Sequence, residues 1–211
     1  DRFVQSAAEA LERKSAQTML TAGIHGAYRS GVETMAATPG VQRVAEGQTA
    51  STLHNAAQAA LFITDARTLM EQPALSSEVF GPASLVVRAK DADELIAVAE
   101  QLEGQLTATL HLEDADHPLA RRLLPVLERR AGRLLVNGFP TGVEVCHAMV
   151  HGGPYPSTSN AMFTSVGASA IDRFLRPVCY QDLPDALLPE ALQQANPLGL
   201  WRLVDGAPVR A

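Results

Sequence analysis

Short apolar runs alternate with amphipathic stretches through the middle of this chain, and few architectures accept that order. The runs lie at approximately Ala59 to Ile63, Ser84 to Arg88, Leu106 to Leu110 and Leu134 to Asn137, each rich in strand formers. Helical patterns fill the intervals. Strands separated by helices cannot pair as tight hairpins, so the order predicts right-handed crossovers on a mainly parallel sheet, an α/β layered domain.

The helices carry recognisable ends. Asp91 is placed to cap a helix with Glu94 three residues on, and Leu95, Ile96, Ala99 and Leu102 form its apolar stripe. Gly104 is expected to end it in the left-handed conformation. A second helix over His117 to Ala131 has Asp116 ahead of Pro118 and Gly132 just beyond its end. Pro125 inside it is expected to bend or interrupt it. Upstream, Phe3, Val4, Ala7, Ala8 and Leu11 share one helical face. Ala16 to about Met35 reads as another helix, closed by the Thr38-Pro39-Gly40 turn before a short strand, Val41 to Ala45.

After Asn137 the pattern dissolves, and residues 138 to 167 read as a long loop rich in Gly, Pro, Ser and Thr. Phe174 to Tyr180 follows as a strand that Pro177 confines to an edge or a bulge. A short acidic helix near Pro184 to Leu192 and a hairpin turning at Asp205-Gly206 complete the chain. The expected division is therefore residues 1–170, a layered domain, and residues 171–211, an edge strand and tail.

Charge and composition exclude whole classes of function. A net charge of -6 disfavours a general nucleic-acid or anionic-membrane binder. Arg129, Arg130 and Arg133 form a basic cluster at a helix end, where cations meet carbonyls and the helix dipole. No apolar run approaches the length of a membrane span, and Asp1 to Gln5 has no signal-peptide pattern. Two distant cysteines, Cys146 and Cys179, fit a reducing cytoplasm.

Glu78-Val79-Phe80-Gly81-Pro82, followed by the run Ser84 to Arg88 and the helix from Asp91, resembles a signature of the aldehyde dehydrogenase superfamily. Leu134-Leu135-Val136-Asn137 before a glycine-rich loop matches as well. A narrower resemblance, to the 2,5-dioxovalerate (α-ketoglutarate semialdehyde) dehydrogenase branch, runs through Asn137 to Val145, His151-Gly152-Gly153-Pro154-Tyr155-Pro156 and Phe163 to Gly167. It continues through Arg173 to Val178 and Tyr180 to Pro184.

The resemblance implies the C-terminal part of a catalytic domain, an oligomerisation strand near Phe174 to Tyr180, and a homo-oligomer. It carries to Glu78 the ribose beside nicotinamide and to Phe80 the nicotinamide ring, of NAD or NADP. A carboxylate accepting from two adjacent hydroxyls suits that role, each charge-assisted bond contributing roughly 1.5–3 kcal/mol. Phe139, His151, Tyr155 and Pro156 are the corresponding candidates for an aldehyde-binding wall. No Gly-x-Gly-x-x-Gly fingerprint is present, and neither cysteine has the family's Gly-Gln-x-Cys setting. Nucleophile, catalytic glutamate and cofactor-binding domain are thus expected upstream, and this chain alone is expected to be inactive and to hold nucleotide weakly at most.

Two other readings stay open. Cys146, His147 and His151 lie close in sequence and suggest a metal or thiol site, although no second local cysteine or carboxylate completes a ligand set. Alternatively the chain is a non-catalytic assembly module, using its edge strand and long loop to join other chains.

Overall fold

The computed structural model describes residues 2–50, 52–140 and 142–210. Asp1 and Thr141, which belong to the terminus and the loop motif read above, lie outside the described residues. Backbone contacts divide the chain into two units, Asp1–Ala170 and Ile171–Ala211.

In the first unit the order is α1 (Arg2–Glu12), β1 (Gln17–Thr18), α2 (Ala22–Ala37), β2 (Gln42–Glu46), β3 (Ala56–Ala57), β4 (Ala60–Asp65) and α3 (Ala66–Glu71). Then come β5 (Ala83–Arg88), α4 (Ala92–Gln101), β6 (Gln105–Leu110), α5 (His117–Arg130) and β7 (Ala131–Val136). The four apolar runs are β4, β5, β6 and β7, with two parallel pairings, β4 with β5 and β6 with β7. The strand expected at Val41 to Ala45 is β2, antiparallel to β4.

β4 lies between β2 and β5, and Ala60 to Thr64 are all buried. Such a strand must be largely apolar on both faces, and its one buried polar member, Thr64, donates its hydroxyl to the Gly40 carbonyl at 2.9 Å. Phe62, fully buried, packs with Met35 of α2, Ala66 and Leu69 of α3, Leu75 of the 3-10 turn Pro73–Ser76, and Val98 of α4. A second cluster joins Ala99 of α4 to Leu123, Val126 and Leu127 of α5, with Ala108 and Leu134 from β6 and β7. α4 therefore belongs to both clusters.

The single parallel sheet expected from the sequence is divided. Among the described ladders, β5 pairs only with β4 and β6 only with β7. Their facing edges border a cleft in which Ala83 to Leu85 lie near Gln105 to Thr107, and an adjoining groove in which Leu85 and Val87 lie near Thr107 to Leu110. That matching order makes β5 and β6 run the same way, with α4 and α5 side chains closing one side of the groove.

Several local expectations are corrected. The helix expected from Ala16 begins at Ala22, because Thr21 caps it by accepting from the Ile24 N–H, while Gln17–Thr18 pairs with β3. Phe3 is exposed, and Val4 is the buried residue of α1. Asp91 caps α4 as expected, but the Glu94 carboxylate accepts from Lys90 N–H rather than from Asp91. Pro125 does not interrupt α5. Arg129 and Arg130 donate to the carbonyls of Pro125 and Glu100, so the basic cluster serves helix ends.

Gly104 and Gly132 are not left-handed caps. A Cβ on Gly104 would stand 2.1 Å from the Pro154 carbonyl oxygen, and one on Gly132 equally close to that of Gly152. Both are glycine because the long loop crosses the starts of β6 and β7 in backbone contact.

In the second unit, Asp205 and Gly206 turn a hairpin of β8 (Arg202–Val204) and β9 (Ala207–Val209), both with positive φ as a type I′ turn requires. The strand expected at Phe174 to Tyr180 is not formed: Phe174 ends a 3-10 helix from Ala168, and residues 175–180 are irregular and exposed. A strand needs a neighbouring edge, and Pro177 removes one of the donors such pairing would use. The acidic helix near Pro184 to Leu192 is two 3-10 turns, Asp185–Leu187 and Glu190–Leu192, separated by Pro189. No helix among the described residues is long and apolar enough to cross a membrane.

Candidate functional site

The segment before β5 is fixed at alternate points. Leu75 is buried in the core and Val79 packs against the same cluster, while Glu78 and Phe80 on either side of Val79 are exposed. Anchoring Val79 between them holds Glu78 and Phe80 at the surface on either side of it. Pro82 then ties the turn to β4, its carbonyl accepting from the Ala60 N–H at 2.9 Å.

Both side chains border a cleft of about 910 Å³, whose other wall is formed by Glu103 to Thr107, Pro156 and Ser157. Phe80, 65% exposed, also borders an apolar cavity of about 410 Å³ with Met19, Leu20, Ile24 and Pro82. The arrangement offers a carboxylate acceptor, an aromatic ring and apolar walls in one concavity. That combination suits a ligand with adjacent hydroxyls next to a flat ring.

The long loop brings Pro156 to this cleft. Gly153 passes so near β6 that a Cβ there would meet the Gln105 carbonyl oxygen at 2.4 Å. Ser157 and Thr158 donate their hydroxyls back to the carbonyls of Pro154 and Gly153, each at 2.6 Å. Tyr155 is 82% exposed and does not line the cleft. His151 does not line it either, but its backbone is held: its N–H donates to the buried Thr164 hydroxyl at 2.8 Å, and its carbonyl accepts from Ser165.

Phe139 lies elsewhere. It follows the end of β7, with its ring 5.3 Å from that of His111 beyond the end of β6, whereas Glu78 and Pro156 lie at the opposite, starting ends of the strands. Asn137 organises that far end. In the left-handed conformation at φ 54°, its side chain accepts from Leu112 N–H and donates to the Leu112 carbonyl, both at 2.9 Å.

Of the sequence candidates, the cleft thus gathers Glu78, Phe80 and Pro156. Neither cysteine lines it, and both thiols are free and exposed. Among the described residues no group of three His, Cys, Asp or Glu side chains could hold a metal ion, so Cys146, His147 and His151 gain no further ligand. Sequence reasoning missed Tyr28, Gly31 and Thr164. The 28/31/35 spacing places Tyr28, Gly31 and Met35 on one helix face, but nothing local identifies the loop they meet.

No family model matches the chain. It is 62% identical over 206 residues to alpha-ketoglutaric semialdehyde dehydrogenase 2 of Azospirillum brasilense, and 46% identical over 207 residues to the alpha-ketoglutaric semialdehyde dehydrogenase of Acinetobacter baylyi. Each match takes in 98% of this chain and 39% of the relative, so the chain spans well under half the length of either. Among solved structures it resembles a Staphylococcus aureus betaine aldehyde dehydrogenase in complex with NAD+, with TM-score 0.65, 16% identity, and 82% of this chain and 35% of that one covered. It also resembles the Mycobacterium tuberculosis Δ-pyrroline-5-carboxylate dehydrogenase bound with NAD, with TM-score 0.53, 19% identity, and 68% and 25% covered. Similarity over nearly its whole length to one part of two semialdehyde dehydrogenases, together with the shared fold, places the chain in the aldehyde dehydrogenase superfamily.

Proposed function

We propose that the chain is the C-terminal catalytic-domain portion of an NAD(P)-dependent aldehyde dehydrogenase that oxidises 2,5-dioxovalerate to 2-oxoglutarate. The observation that carries the cofactor half of this reading is Glu78 and Phe80 side by side in one cleft. The substrate follows from the names of the two relatives.

The residues present fit one end of the cofactor. Glu78 would accept from the ribose hydroxyls beside nicotinamide, and Phe80 would pack against the ring from the apolar side of the cleft. Bound NAD(P) supplies the hydride acceptor. Pro156 narrows the cleft opposite Glu78 and helps to exclude water, while His151 and Tyr155, in the same loop, are the candidates for an aldehyde wall completed in the whole enzyme, and Phe139 at the far strand ends stands apart from it. Oxidising an aldehyde to an acid also needs a nucleophile for its carbonyl and a base to activate water. We assign both, with the phosphate-binding surface, to the part of the relatives' length that this chain does not span. The chain spans 39% of each relative, and neither of its cysteines lines the cleft, which supports that assignment.

Residues 171–211 are the oligomerisation segment and tail in this reading. Phe174, Leu175, Val178 and Tyr180 are all exposed, which favours docking of this segment on a second copy. Two free cysteines and no disulfide among the described residues fit the cytoplasm.

NAD(P)H formation tests the reading. The chain alone, given 2,5-dioxovalerate or a simple aliphatic aldehyde, should show no turnover, and the full-length protein that carries it should oxidise 2,5-dioxovalerate in preference. Turnover by the chain alone that Cys146→Ala abolishes would replace this proposal with an active site at Cys146.

A further inference from the structure

We propose that Tyr28 and Gly31 of α2 are positioning residues for the nicotinamide cofactor: they set from beneath the height of the turn that presents Glu78 and Phe80. The proposal rests on the reading of those two residues given above. It assigns to helix α2, which touches no substrate or cofactor through these positions, control over how well the cofactor ribose is met.

The geometry is a clamp on alternate residues. Gly81 has φ +152°, and a Cβ on it would stand 2.3 Å from Cδ2 of Tyr28, so the tyrosine ring lies directly against the Gly81 backbone. A Cβ on Gly31 would stand 2.9 Å from Cγ1 of Val79. Val79 and Gly81 are therefore seated on the helix, and they carry the neighbouring Glu78 and Phe80 at the border of the cleft. Met35, a turn beyond Gly31 on the same face, is buried and lines the cleft floor.

The clamp is itself immobilised. Tyr28 is 4% exposed, and its hydroxyl donates to the Gln58 carbonyl at 2.5 Å. Gln58 in turn donates its side-chain amide to the Gly47 carbonyl at 2.8 Å. A ring held at its far end by a hydrogen bond and buried around its body is a fixed surface. A bond from carboxylate to ribose tolerates only a few tenths of an ångström before it weakens, so the seat of Val79 and Gly81 governs its length.

The test measures kcat, the KM for NAD(P) and the KM for 2,5-dioxovalerate in the full-length protein for Tyr28→Ala, Tyr28→Phe, Gly31→Ala and Glu78→Ala, each with a thermal melt. Tyr28→Ala should raise the cofactor KM about tenfold, equivalent to about 1.4 kcal/mol, and leave the aldehyde KM within about twofold. Tyr28→Phe keeps the ring against Gly81 and should recover most of that loss. Gly31→Ala, which pushes Val79 without emptying any space, should raise the cofactor KM several-fold and serves where Tyr28→Ala fails to fold. A lowered melting temperature with an unchanged cofactor KM in both Tyr28→Ala and Gly31→Ala would overturn the proposal, as would Tyr28→Phe behaving like Tyr28→Ala. An unchanged cofactor KM in Glu78→Ala would instead sink the underlying reading of the cleft.

Discussion

Replacing Asn137 by alanine removes two side-chain hydrogen bonds to Leu112 and leaves a residue with a Cβ in the left-handed region, at φ 54°. The two bonds are solvent-exposed, so each contributes about 0.5–1 kcal/mol at most. Forcing alanine into the left-handed conformation costs about 1 kcal/mol more. Asn137→Ala should therefore destabilise the first unit by about 2–3 kcal/mol, whereas Asn137→Gly, which escapes the conformational cost, should retain about 1–2 kcal/mol of that. Urea unfolding followed by far-UV circular dichroism measures the difference. Fluorescence would not, because the single tryptophan, Trp201, lies in the second unit. Equal losses in the two variants would refute the conformational part of the reasoning. Losses below about 0.5 kcal/mol in both would refute the hydrogen-bond part.

The other expectations concern core, loop and pH. Phe62→Ala, emptying a fully buried site in β4, should cost about 3–5 kcal/mol in the same unfolding assay. Gly132→Ala, whose Cβ would stand 2.1 Å from the Gly152 carbonyl oxygen, should free the long loop to limited proteolysis. Gly142→Ala, with nothing within 4 Å, should not. Asp65 caps α3 by accepting from the Thr68 N–H and hydroxyl, and these bonds hold its carboxyl below the usual range. A depressed acid contributes stability above its unfolded-state value and loses it as pH falls through the folded one. Urea midpoints of wild type should thus drop more steeply on acidification than those of Asp65→Asn.

Much of the fold was legible because its signals are local. β4 opens with a short apolar run, Ala60 to Ile63, and a strand buried on both faces carries such a run. The Asp91 cap and the Asp205-Gly206 turn depend on neighbours within a few residues. What was misread depends on distant partners. Gly104 and Gly132 follow helices and so resemble caps, yet the atoms that demand glycine lie about twenty to fifty residues further on, at Pro154 and Gly152. β1 and β3 have two residues each, too few for a pattern. Phe174 to Tyr180 has strand composition, but composition cannot supply the edge with which a strand must pair.

The candidate site divides along the same line. Glu78 and Phe80 were legible through the motif, and the anchored Val79 between them holds both at the border of one cleft. That Pro156 joins them while Phe139 stands with His111 at the opposite strand ends follows only from the path of the long loop. Tyr28 and Gly31 act on residues about fifty positions away, a relation that no local spacing records.

The central claim is that Glu78 holds the cofactor of an aldehyde dehydrogenase, and Glu78→Gln in the full-length protein tests it most directly. With 2,5-dioxovalerate saturating, the account predicts a rise in the KM for NAD(P) of about ten- to a hundredfold, the loss of charge-assisted bonds to the ribose hydroxyls, with the aldehyde KM little changed. A cofactor KM equal to that of wild type would contradict it.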